Sequence, residues 1–135
     1  MTKPVVVKGE HDRKFTLTVP KSATVKKIRI DDGLVSGNQS KKCDWAITVN
    51  PSTQEYFFFI ELKGGDLAHA VKQLEASIIE LKRLHGAYKQ KQAHAVCSRI
   101  IPSFDSRFQV AVKNFKDKHG FLLKRHSQSG QASCY

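Results

Sequence analysis

Asp44 and Glu61 stand seventeen residues apart, and the segment between them reads as a hairpin. Asp44-Trp-Ala-Ile-Thr-Val49 leads into the turn-rich Asn50-Pro-Ser-Thr-Gln54, and Tyr56-Phe-Phe-Phe-Ile-Glu-Leu-Lys63 follows. If Pro51–Gln54 form a four-residue loop, Val49 faces Tyr56 and Asp44 faces Glu61. Directly opposed residues have Cβ atoms about 4.5–5.5 Å apart, where two like charges repel. A divalent cation between them turns that repulsion into a ligand pair. Mg²⁺, or Mn²⁺ in its place, suits it, because Mg²⁺ takes one or two carboxylates and keeps positions for water and phosphate. Lys63 shares the face of Glu61, since side chains two apart on a strand point the same way. Two carboxylates, a metal and an ammonium make a minimal phosphodiester-hydrolysing site. The metal activates water and neutralises developing charge, and the lysine orients or polarises the attacking water.

Positioning this set requires a buried sheet. The run from Tyr56 is apolar on both faces until Glu61, the mark of a central strand covered on both sides. Gly64-Gly65 closes it and Asp66 can cap the next helix. Leu67, Val71, Leu74, Ile78 and Leu81 recur at spacings of four, three, four and three, predicting an amphipathic helix to about His85-Gly86. Upstream, Val5–Val7, Phe15–Val19 and Thr24–Ile30 read as strands, the second alternating with period two. Downstream, Ala95–Ile101 reads as a strand ended by Pro102, Phe104 to His119 as a helix stopped by Gly120, and Phe121–Lys124 as a short strand. The expectation is one α/β domain over residues 1–126, a mixed central β-sheet flanked by helices. Residues 127–135, small and polar, read as a flexible C-terminal tail.

Composition agrees with a folded domain: 40% of the 135 residues are hydrophobic and 26% charged. The sign of the charge is unusual. Lys and Arg number 23 against 12 Asp and Glu, a net of +11 that points to nucleic acid as partner. Residues 44–63 carry one basic and three acidic groups, an acidic island in a chain otherwise basic throughout. No apolar run approaches the ~18 residues of a membrane span, and MTKPVVVKGEHD lacks a signal-peptide core. A cytoplasmic protein without a membrane partner is expected. Cys43, Cys97 and Cys134 form no CxxC and read as reduced thiols. The six histidines are scattered, without zinc-ligand spacing, and read mostly as surface or phosphate-facing residues. Trp45 and Phe57–Phe59 read as core.

The pattern Asp44…Glu61-Leu-Lys63 on adjacent strands, followed by a helix, resembles the PD-(D/E)xK nuclease superfamily of restriction-endonuclease-like fold. The stretch KCDWAI…FFFIELKGGDLAHAVKQL is most similar to its small resolvase-like or mobile-element members, over about residues 28–85. The resemblance implies Asp44 and Glu61 as metal ligands, the Leu62 carbonyl as a further ligand, Lys63 as the catalytic lysine and Gln73 as a glutamine that orients the site. It departs in placing Cys43 where the motif has Pro. It also has strands where many members carry a glutamate on an N-terminal helix, leaving Glu10, Asp31 or Asp32 as a fourth acid. Lys41, Lys42 and Lys72 are candidate nucleic-acid contacts, and a solubilised loop explains the first two equally well. The implied activity is metal-dependent endonucleolytic cleavage of DNA, directed by DNA structure or a partner, with a homodimer for two-strand cutting. The rivals are a non-catalytic basic nucleic-acid-binding or assembly protein and an RNA-directed nuclease.

Overall fold

The computed structural model describes residues 1–10, 12–30, 42–62, 67–97 and 105–134. Among these residues, eight strands and three helices build an α/β architecture in three layers. A five-stranded sheet runs in the order β3 (Val25–Arg29), β4 (Trp45–Val49), β5 (Tyr56–Glu61), β6 (Gln90–Cys97), β7 (Leu122–Ser127). Its first three strands are antiparallel and its last three parallel, so the sheet is mixed, as expected. A three-stranded sheet of β1 (Thr2–Lys8), β2 (Lys14–Pro20) and β8 (Ser129–Ser133) covers one face. Helices α1 (Leu67–Glu80), α2 (Lys82–His85) and α3 (Asp105–Asn114) complete the set, and α3 continues into a π-helical turn at Phe115–His119. No helix among the described residues is long and apolar enough to cross a membrane.

The middle strand holds both cores together. Phe57 and Phe59 pack with Leu67, Leu74 and Ile78 of α1, while Phe58 and Ile60 pack with Phe15, Leu17 and Val19 of β2. All four β5 side chains are fully buried, worth about 1.5–3 kcal/mol each. A one-residue slip would exchange the two faces, so the register is strongly held. It is the register read from the sequence: Val49 pairs with Tyr56 and Trp45 with Ile60. Asn50 and Gln54 bracket the loop at φ 53° and 51°. Asn50 Oδ1 accepts from the Thr24 amide at 3.0 Å, and its Nδ2 donates to Glu55 at 2.8 Å.

Elsewhere the structure corrects the expectations. β6 begins at Gln90 rather than Ala95 because Gln90, Lys91 and Gln92 pair with the central strand; backbone bonding there outweighs their polar side chains. The helix expected to run to about His85 breaks at Leu81, and His85 Nε2 lies 2.9 Å from the Ile78 carbonyl that a continuing helix would use. Gly86 ends α2 in right-handed conformation, whereas Gly120 closes the π-turn at φ 72°, left-handed as a helix stop favours. Residues 129–133 are not a frayed tail. They form β8, parallel to β2 from Lys14↔Ser129 to Thr18↔Ser133. Trp45 is only half-buried, with the Arg29 guanidinium 5.2 Å over its ring and its Nε1 donating to the Lys8 carbonyl.

The histidines depart furthest from a surface role. His85 and His94 are buried, and His94 Nδ1 lies 2.9 Å from His126 Nε2. His94 Nε2 lies 2.8 Å from the Gln92 amide oxygen, an acceptor that suits a proton on Nε2. Burial first, then His126 and Lys124, hold His94 down to about 3. Unfolding restores an ordinary value near 6.5. The unfolded chain therefore binds the proton first, and the His94 contribution, complete above pH 6.5, is lost as pH falls toward 3. From pH 7 to 5 it should amount to about 2 kcal/mol of stability. Urea unfolding at both pH values, for wild type and His94→Leu, tests this; an equal pH effect in the two proteins would rule His94 out.

Candidate functional site

Asp44 is held by backbone on both sides. Its N–H donates to the Ile60 carbonyl at 3.1 Å, and its carbonyl accepts from Ile30 at 3.0 Å. The regular β4–β5 pairing ends at Trp45↔Ile60, and because the Asp44 N–H also bonds the Ile60 carbonyl, Asp44 lies one residue out of that register, at the Glu61 end of the strand pair. Glu61 lies on the helix-facing side, because Phe59, two residues before it, and Ala95, the β6 partner of Glu61, pack in the core beneath α1. Asp44 is 3% exposed and Glu61 fully buried. Asp44 Oδ2 accepts the Leu62 N–H at 2.7 Å, which orients the carboxylate and fixes the turn of chain leaving β5. Asp44 Oδ1 and Glu61 Oε1 are buried without a hydrogen bond among the described residues, while both residues make other polar or electrostatic contacts. Two acceptor oxygens in such surroundings suit a hard cation, and the donor set is the oxygen-rich one Mg²⁺ prefers. Among the described residues no group of three or more His, Cys, Asp and Glu could hold a metal. A site here would rest on two carboxylates and a backbone carbonyl.

The remaining candidates divide. Lys63, the expected lysine, lies outside the described residues, as do Lys41, Asp31 and Asp32 and the Gly64–Asp66 turn. Lys42 does not reach for phosphate. Its side chain is 2% exposed and its ammonium lies 2.8 Å from Glu80 Oε1, because a buried cation requires a nearby anion. Lys72 is exposed on α1 and available to a ligand. Gln73 is half-buried one turn before Ser77, and its carbonyl accepts the Ser77 hydroxyl at 2.9 Å.

Ser77 was not among the candidates. It is fully buried, and its Oγ accepts the Cys43 N–H at 2.8 Å, tying α1 to the residue before Asp44. Its trace in the sequence was one polar residue inside the apolar stripe. Burial pushes the Cys43 thiol up; Ser77 opposes this, while the negative charges of Glu61 and Asp44 reinforce it. Cys43 therefore stays a thiol and supplies no thiolate ligand.

A cleft of about 290 Å³ opens beside Asp44, lined by Lys8, Gly9, Glu10, Arg29 and Trp45. Of the three possible fourth acids, Glu10 thus shares a cleft with Asp44. Gly9 permits this: a Cβ there would stand 2.6 Å from Leu62 Cβ, so the β1–β2 turn comes down on Leu62 only without a side chain. Gly9→Ala should displace the turn or Leu62 and lower stability by about 1–3 kcal/mol, as overpacking does. Thermal unfolding checks it, and an unchanged midpoint would show that the turn yields freely. Lys8 and Arg29, both exposed, set positive charge at the mouth of a cleft whose wall carries carboxylate. Comparison with protein-family models, curated proteins and solved structures finds no match to this chain.

Proposed function

We propose that this chain is a divalent-metal-dependent endonuclease acting on DNA, of the PD-(D/E)xK, restriction-endonuclease-like type. The observation that carries the reading is that two buried carboxylates, Asp44 and Glu61, lie at the same end of the β4–β5 strand pair, Asp44 beside a basic-rimmed cleft. Asp44, Glu61 and the Leu62 carbonyl would hold Mg²⁺ or Mn²⁺, which supplies Lewis-acid charge neutralisation and a more acidic bound water. The chain's own groups do the rest. The Leu62 N–H keeps Asp44 in one orientation, so no reorganisation is needed when charge develops. Lys8 and Arg29 attract and seat the phosphodiester, and Lys63, two residues beyond Glu61, is positioned in sequence to orient the attacking water. Glu10 can accept a hydrogen bond from water in the same cleft. One such site cuts one strand, so cleavage of both strands of a duplex takes two copies.

The test is incubation with DNA and RNA duplexes, junctions, nicks and single strands, with Mg²⁺, Mn²⁺ or a chelator. Metal-dependent cleavage of DNA is the expected result. Cleavage confined to RNA would transfer the activity to that substrate, and binding without cleavage of any member would leave a non-catalytic binding protein. Affinity should fall steeply with salt because phosphate contacts release counterions. For about four contacts the loss between 50 and 200 mM salt is on the order of 100-fold. Fluorescence anisotropy at the two salt concentrations checks this, and a flat response would remove nucleic acid as partner.

A further inference from the structure

A second cleft, of about 280 Å³, lies at the opposite end of the central sheet. Lys91, on its wall, pairs with Phe57, four residues before Glu61 on β5. At roughly 3.3 Å per residue this is about 13 Å along the strand from the carboxylate end. Lys82 of α2, Lys91 of β6 and Lys118 of the π-turn line it together with His85 and His119, and no carboxylate does. Among the described residues, none of the three ammonium groups is paired with a carboxylate. Glu75 stands at its edge, its Oε2 3.5 Å from His119 Nε2. Lys91 also lines an adjoining cleft of about 280 Å³ with Lys89 and Lys116, so the positive surface extends beyond one pocket.

The cluster is built rather than merely solvated. The Lys91 ammonium stands 5.5 Å over the Phe121 ring, and burial, then Lys82, hold its pKa below the ordinary lysine value. His85 is wedged among Phe57, Phe59 and Phe121, its Nε2 engaged with the Ile78 carbonyl and its Nδ1 buried without a hydrogen-bond partner. Like charges gathered without counter-charge oppose the compact state, and an anion between them reverses that effect.

We propose that this cleft is a phosphate-binding site, with Lys82, Lys91 and Lys118 as the binding cations and a nucleotide or a nucleic-acid strand as the source of the phosphate. The site stands independently of the carboxylate site. Burial, then Lys91, Lys82 and His119, hold the imidazole of His85 below its ordinary value. A bound anion offsets those charges, so His85 should shift upward when the site fills, with Glu75 and Lys118 the other charged groups at its edge.

The experiment follows the His85 and His119 ring protons by NMR in low salt while inorganic pyrophosphate is added. Saturable shifts and a raised His85 pKa are expected, weakened at least tenfold in Lys91→Gln, retained in Lys91→Arg and unchanged in Asp44→Asn. Should Lys91→Gln unfold, the exposed Lys82→Gln carries the same comparison. ADP and a short single-stranded DNA are the two further arms. A response to ADP identifies a nucleotide site, and a response to DNA with ADP silent identifies a strand contact. No saturable shift with any of the three probes, or an affinity that Lys91→Gln and Lys82→Gln both leave intact, would overturn the proposal.

Discussion

Asp44→Asn and Glu61→Gln are each expected to remove metal-dependent cleavage, by a factor on the order of 10³, while the protein stays folded and binds DNA. The substitutions keep shape and remove charge, so the two effects of the carboxylates separate. Like charges brought together in a buried site repel. Without metal, either substitution relieves that repulsion, so the variants should unfold at the same or a higher temperature than wild type. Metal should raise the wild-type midpoint by mass action and leave the variants nearly unmoved. Affinity for DNA without metal should hold or rise, because a negative group beside the phosphate is gone. Lys63→Ala should also stop cleavage, with affinity held or slightly reduced, since a positive charge is lost. Nuclease assays, thermal unfolding with and without Mg²⁺, and anisotropy read the three effects. A destabilised Asp44→Asn would make the carboxylate structural, and undiminished cleavage would place the chemistry elsewhere.

What the sequence disclosed of this site is what strand periodicity records. Apolar residues on both faces of β5, and a loop closed by Asn50 and Gln54, determine pairing with β4 from Val49↔Tyr56 to Trp45↔Ile60, which brings Asp44 to the end of the strand pair where Glu61 lies. The pattern also shows that a face is buried without showing what covers it. Glu10 comes beside Asp44 through a contact spanning 34 residues, permitted by the missing side chain of Gly9, and no local signal marks it. Lys42 illustrates the same limit. Next to an acidic motif a lysine reads as a phosphate contact, but its direction is set by Glu80, on a helix 38 residues away. His94 and His126 are polar in any composition count, yet they pair with each other between two sheets and are satisfied there. The basic cleft at the far end is likewise assembled from α2, β6 and the π-turn, whose lysines look evenly scattered along the chain.

Removing residues 129–135 should destabilise the protein by about 2–4 kcal/mol, although these residues look like a dispensable tail. β8 supplies the second hydrogen-bonded neighbour of β2 over five register pairs, and the Cys134 amide donates to the Thr18 carbonyl at 3.0 Å. At about 1 kcal/mol net per bond this contribution is roughly offset by the backbone entropy regained on release. The remaining loss is apolar cover. Phe15 is fully buried, and a Cβ on Gly130 would meet its ring at 3.0 Å and that of His126 at 2.8 Å, so the β8 backbone lies directly on both side chains. Exposing Phe15 in part and losing the buried Cys134 side chain account for the predicted loss at ordinary burial values. It also opens a strand edge prone to association. Gly130→Val, which keeps the chain at full length, should cost about 1–3 kcal/mol by overpacking against the same rings. Truncation further admits water to the His94–His126 pair, so the stability difference between pH 7 and pH 5 should shrink along with total stability. Urea unfolding of the full-length and truncated proteins at both pH values measures the two effects together. Identical midpoints would mean that the strand contributes nothing, and an undiminished pH effect would mean that the histidine pair is buried without it.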